Sequence, residues 1–149
     1  MRLRKILLGI LGSLIGILVL AQLVPYGRDH TNPKVVAEPA WNQASTRELA
    51  VRACFDCHSN QTKWPWYTHV APVSWFVQHD VDEGRDALNF SDWSRSYAEA
   101  GDAAGSVLDN EMPPAIYRAM HPEARLSANE KRALADGLRA TLGTAPAED

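Results

Sequence analysis

No alternating run of apolar and polar residues reaches strand length in this chain of 149 residues, and no segment repeats. Sheet and solenoid architectures are therefore not expected. Cysteine is scarce: the two present, Cys54 and Cys57, sit too close together to staple a small domain as a structural disulfide does. Basic charge is also in short supply, with 15 Lys and Arg against 18 Asp and Glu and a formal net charge of −3. Setting aside Arg2, Arg4 and Lys5 leaves 12 against 18. With no basic stripe to neutralise phosphates, nucleic acid is excluded as a partner. The acidic balance suits docking of a basic partner, although most acidic surfaces are simply solvated. No acid–base pair or substrate cleft is legible, so the chain is not expected to be an enzyme.

What the chain does have begins at its start. Arg2, Arg4 and Lys5 precede an uncharged run over residues 6–24, closed by Pro25. As a helix this run is about 28 Å long, close to the hydrocarbon thickness of a bilayer. Charges ahead of it hold the start in the cytoplasm and send the rest across. A cleaved signal peptide has a shorter apolar core and a small-x-small site. Neither applies here, so residues 1–25 are expected to be a retained anchor. Gly12 and Gly16 form a GxxxG pair, a helix-pairing pattern, but glycine is common in such segments. Residues 26–40 carry Pro33 and Pro39 without helical periodicity and read as an extended tether.

Beyond the anchor about 120 residues remain, enough for one small domain and too few for two. Ser45-Thr46-Arg47-Glu48 matches a capping box and predicts a helix from about Thr46, running into Cys54. Residues 59–72, with Pro65 and Pro72 among aromatics, read as a structured loop. A helix is expected over 73–88, with Trp75, Phe76, His79 and Glu83 at helical spacing. Asn89-Phe90-Ser91 breaks it, and Ser91 is expected to cap a further helix holding Trp93 and Tyr97. Pro113-Pro114 forbids helix there. Ser127-Ala128-Asn129-Glu130 is a second capping box, opening a last helix striped by Leu134, Leu138 and Leu142. The domain is expected to be all-α over 41–143, with a frayed tail at 144–149.

Cys54-Phe55-Asp56-Cys57-His58 is a C-x-x-C-H motif, the attachment pattern of c-type haem. Two thiols three positions apart can add to the vinyl groups on one porphyrin edge, and the next residue offers an imidazole nitrogen to the iron. Closely spaced cysteines serve other chemistries too. A thioredoxin-like dithiol sits at a helix start in a βαβ setting, whereas here a helix precedes the motif. Zinc needs a second ligand pair at metal spacing. His30, His69, His79 and His121 offer none, although His69 or His79 remains available to complete an improvised site. Haem is the favoured reading, and export agrees with it, since c-type attachment takes place on the outer side of bacterial membranes. For the second axial position Met112 is the first candidate, in Glu111-Met112-Pro113-Pro114, a segment stiffened by two prolines; a Met/His pair raises the reduction potential relative to bis-His. The plainer role for Met112 is a gap-filling core residue. His79 and His121 come next, then Met120 and His69, while His30 lies in the tether.

Several blocks together resemble the haem-binding domain family of exported bacterial proteins. They are Cys54-Phe-Asp-Cys-His-Ser-Asn-Gln-Thr-Lys-Trp-Pro-Trp-Tyr67, Ala71-Pro-Val-Ser-Trp75, Val81-Asp-Glu-Gly-Arg-Asp-Ala-Leu-Asn-Phe-Ser91, Glu111-Met-Pro-Pro114 and His121-Pro-Glu-Ala-Arg-Leu-Ser127. The resemblance covers roughly residues 41–142. It implies a small cytochrome-c-like helical fold around one covalent haem c, with Cys54 and Cys57 as thioether sites, His58 as proximal ligand and Met112 as distal ligand. The role expected from this is single-electron transfer with redox partner proteins, on the periplasmic side of the inner membrane. Trp64, Trp66, Tyr67 and Trp75 are expected to wall the haem. Two alternatives remain: a haem-based sensor or small-ligand binder with an open sixth position, and a haem subunit of a larger membrane redox complex.

Overall fold

Helical periodicity carries through into the computed structural model, which describes residues 2–143. Among the described residues there are α-helices and short 3-10 turns but no strand, and the all-α expectation holds. Extended backbone pairs in one isolated bridge, Ala37 with Asp92. The chain separates into two units. One is formed by the residues up to Thr31 together with Trp64–Asp80, the other by Asn32–Lys63 with the chain from Val81 onward. The tail expected at 144–149 lies outside the described residues.

The first unit contains α1 (Arg2–Ala21), none of whose side chains is buried. It is long and apolar enough to cross a membrane, with a mean hydropathy of 2.1. Just past it the Gln22 amide makes a reciprocal pair with Ala71, donating to its carbonyl at 2.9 Å and accepting from its N–H at 3.1 Å. Gly27 has a φ of +77°, and a Cβ there would sit 2.4 Å from the Ser74 carbonyl oxygen; only glycine fits both demands. His30 stacks on Trp64 at 4.5 Å and meets His69 edge-on at 4.3 Å. The 3-10 turn Trp66–His69 interrupts the expected loop.

The second unit is built around α2 (Ala44–Ala53), α5 (Ala103–Leu108) and α7 (Ala128–Leu142), with α3 (Phe55–His58) and α6 (Ala115–Met120) as single short turns. The helix α4 (Val73–Ala87) begins in the first unit and ends in this one. Leu134 and Leu138 of the expected stripe are fully buried, and Leu142 is partly so. Gly137 lets α7 meet α2, because a Cβ there would lie 2.2 Å from Thr46 Oγ1. Phe55 and Phe90 stack at 5.5 Å, with Trp41 tilted against both. The second capping box is present in full: Glu130 N donates to Ser127 Oγ and Ser127 N to Glu130 Oε2.

Three expectations are corrected. Ser45 does not cap α2; the helix starts at Ala44 with Gln43 as the extended residue before it, and no side chain caps it. Glu38 decides this, since it grips Arg47 through both oxygens at 2.6 and 2.7 Å and accepts from Trp41 Nε1, fixing the chain ahead of the helix. Ser91 opens no helix either. Its carbonyl accepts from Val36 N, and Trp93 N donates to Ala37 O, so the backbone groups a helix would need are already paired. Phe90, Trp93 and Tyr97 instead stack in a ladder, and helix resumes at the 3-10 turn Ala98–Asp102 and α5. The same bonds show that residues 32–40 are no free tether. Asn32 Nδ2 donates to Thr62 O, Asn60 Nδ2 donates to Lys34 O, and the segment lies along the second unit.

Candidate functional site

Cys54, Cys57 and His58 follow one another where α2 stops and restarts, and among the described residues their side chains do not gather as a Cys–His cluster. Cys54 N still closes the last turn of α2 on Ala50 O, but the Cys54 backbone leaves the helical region and α3 begins at once. Cys57 N and His58 N both donate to Cys54 O, at 3.2 and 2.8 Å, which sets the two thiols one turn apart. Phe55 anchors this turn in the core, leaving Cys54, Cys57 and His58 half-buried. Ser59 ends it: its hydroxyl donates to Phe55 O at 2.7 Å and accepts from Gln61 N.

The imidazole of His58 is oriented by a backbone carbonyl. Nδ1 lies 3.1 Å from Leu88 O, and a carbonyl only accepts, so Nδ1 carries the proton and Nε2 bears the lone pair. Burial pulls the His58 pKa below its ordinary value, against the raising effect of the Leu88 and Gly84 carbonyls, so the ring is neutral near pH 7. A neutral imidazole with one nitrogen tied to a carbonyl is how a metal-ligating histidine is usually presented. Phe90 N donates to His58 O at 2.8 Å, closing the same loop from the other side.

The end of α4 packs directly on the motif through Gly84, where a Cβ would stand 2.7 Å from Cys57 O. Arg85 then ties the chain that follows His58: Nε donates to Ser59 O at 2.9 Å and Nη2 to Thr62 Oγ1 and Asn32 Oδ1, both at 3.0 Å. Asn89 Nδ2 donates to Asn60 Oδ1 in the buried interior. None of these supports was expected from the sequence. Gly84, an isolated glycine inside a helical pattern, was the one available signal; the Leu88 carbonyl carries no sequence signal at all.

Met112 lies on the α5–α6 connection and is 39% exposed. Met112 N and Glu111 N both donate to Ser106 O at 3.0 Å, and the Met112–Pro113 peptide is cis. Arg118 Nη1 donates to Asn110 O at 3.2 Å and to Pro113 O. From α6, Tyr117 reaches the attachment motif itself: its hydroxyl donates to Asp56 Oδ2 at 2.6 Å. Burial first, then the Asp56 carboxylate, push the Tyr117 hydroxyl pKa far above its usual value. Of the other candidate ligands, His121 stacks flat on Tyr117 at 4.0 Å and Met120 is exposed, both in this unit. His69 and His79 belong to the first unit, as do His30, Trp64, Trp66, Tyr67 and Trp75. The indole N–H groups of Trp64 and Trp75 are buried with no hydrogen-bond partner among the described residues.

The donor set suits a haem better than zinc or a reactive dithiol. Among the described residues no three His, Cys, Asp or Glu side chains gather as a metal cage. Burial, aided by the neighbouring Cys57, pushes the Cys54 thiol up to about 12. Redox dithiols need the opposite shift. Leu108, Met112, Ile116 and Met120, on α5, the α5–α6 connection and α6, are each large, apolar and exposed. A family model described as "Haem-binding domain" matches residues 16–140. No curated protein and no solved structure matches.

Proposed function

This chain belongs to the haem-binding domain family, and on that premise we propose that it is a membrane-anchored, monohaem c-type cytochrome that transfers single electrons. One observation carries the reading: Cys54, at the junction of α2 and α3, and Cys57, on α3, stand one turn apart, followed by a neutral His58 whose Nδ1–H is held by Leu88 O. Cys54 and Cys57 would hold the haem through thioether bonds, and His58 Nε2 and Met112 would be the residues that bind its iron. When bound, the haem supplies a one-electron ferrous/ferric couple.

The protein's own part is to hold and tune. The carbonyl of Leu88 fixes the His58 tautomer and makes Nε2 a stronger donor. Gly84 lets α4 lie against the motif, so that this carbonyl is in reach. Arg85 and Asn89 pin the residues after His58. The chain acts as a carrier and not as an enzyme, exchanging electrons with redox partner proteins and not with nucleic acid. The apolar helix α1 supports anchoring in the inner membrane, with the haem domain in the periplasm, as the leading basic residues direct.

The test is optical spectroscopy of protein made in a host with haem-attachment machinery. The haem stays with the polypeptide after acid–acetone extraction, and the ferric sulfur-to-iron band of the wild type vanishes in Met112→Ala. No covalent haem refutes the central reading. A spectrum unchanged by Met112→Ala removes Met112 as ligand. The alternative is a small-ligand-binding haem with an open sixth position; prompt carbon monoxide binding by the ferrous wild type would select it.

A further inference from the structure

We propose that Tyr117 is a positioning residue for the distal side of the haem site: its hydroxyl, held by Asp56 within the attachment motif, sets where the Met112 loop stands. The inference rests on the reading of Met112 as distal ligand. Tyr117 Oη donates to Asp56 Oδ2 at 2.6 Å, across 61 positions of chain, the length of a charge-assisted bond. The acceptor is itself held. Asp56 Oδ1 accepts from Lys63 N at 3.1 Å and its carbonyl from Thr62 Oγ1 at 2.8 Å. The ring of Tyr117 is fixed too, stacked on His121 at 4.0 Å with 9° between planes.

From Tyr117 the constraint passes to Met112 through few bonds. Arg118, the next residue, binds Pro113 O and Asn110 O on either side of Met112. Arg125 holds the far end of α6, donating to Arg118 O at 2.7 Å and Ala119 O at 2.8 Å. The loop is thus fastened to α5 through Ser106 O and to α6 through Arg118. Tyr117 fastens α6 to the turn that carries Cys54, Cys57 and His58. One hydroxyl therefore couples the covalent side of the site to the loop offering the sixth ligand.

The test uses the full-length holoprotein as wild type, Tyr117→Phe, Asp56→Asn and Met112→Ala. It reads covalent haem content, the ferric sulfur-to-iron band and the rate of carbon monoxide binding to the ferrous form. Tyr117→Phe keeps the ring and its stacking and loses the hydroxyl alone. The expected result is wild-type haem content with a weakened band and carbon monoxide binding faster by roughly 10- to 100-fold, the factor carried by a hydrogen bond to a charged group. Asp56→Asn keeps an acceptor oxygen and falls between. If Tyr117→Phe matches wild type in band and rate while Met112→Ala loses the band, the latch is overturned and the ligand assignment stands. If wild type lacks the band or binds carbon monoxide as fast as Met112→Ala, the ligand assignment fails and the latch with it. Should Tyr117→Phe not accumulate, Asp56→Asn decides: a raised rate supports the latch and a wild-type rate overturns it.

Discussion

Replacing Gly84 by alanine tests the closest approach in the site. A Cβ at this position would lie 2.7 Å from Cys57 O and 3.0 Å from both the Cys57 carbonyl carbon and Cβ. The nearest of these atoms are backbone, in a turn tied to Cys54 O and to Phe90 N, so no flexible side-chain tip can swing aside. Either α4 or α3 must retreat. Overpacking of this kind costs about 1–3 kcal/mol. Against it stands the gain of alanine over glycine inside a helix, about 0.5–1 kcal/mol. Mid-range values leave a net loss of about 1 kcal/mol, read as a lower urea midpoint of the haem-free protein at unchanged slope. A second readout follows from the geometry. Retreat of α4 carries Leu88 O away from His58 Nδ1, so holoprotein of Gly84→Ala should show a perturbed proximal ligand in its vibrational spectrum. A variant as stable as wild type, or stabilised by the helix gain, would refute the close packing of α4 on the attachment turn.

Further outcomes follow from the same structure. Leu138→Ala removes a fully buried side chain and should destabilise the domain by about 2–5 kcal/mol in denaturant titration. The Cys54 thiol, raised to about 12 in the fold, stays protonated where an unfolded thiol ionises. The folded, haem-free protein should then lose stability as pH rises above about 9, and at pH 8 Cys54 should alkylate more slowly than free cysteine. Glu130 has its carboxyl held at about 2 by the Ser127 backbone and side chain and by Arg52. The stability it lends is fully present above about pH 4.5 and is lost as pH falls towards 2. Ser127→Ala should cost about 1 kcal/mol at neutral pH and weaken that acid dependence.

Much of the fold was legible because its signals are local. The Ser127–Glu130 box, the Leu134 and Leu138 positions, the helix from Val73 and the breaks at Asn89 and Pro113 each depend on residues within a turn or two. The C-x-x-C-H motif is equally local: its spacing puts Cys54 and Cys57 one helical turn apart, with His58 the next residue. Where reading failed, a distant partner had intervened. Ser45 lost its capping role to a Glu38–Arg47–Trp41 cluster that sets the chain ahead of α2. Ser91 and Trp93 gave their backbone groups to Val36 and Ala37, so the expected helix never formed and the supposed tether became part of the second unit.

The sequence by itself determined that the chain is helical, that it opens with an apolar helix, and that it resembles a haem-binding domain. These follow from periodicity, charge placement and motif spacing, all properties of neighbours along the chain. Only the tertiary structure decided how the side chains of the motif are presented. The tautomer of His58 depends on a carbonyl 30 positions away, the raised pKa of the Cys54 thiol on its burial, and the bridge from α6 to Asp56 on a hydroxyl 61 positions away. Backbone carbonyls and burial leave no mark on residue identity, so the support of the site appears only once the chain is packed.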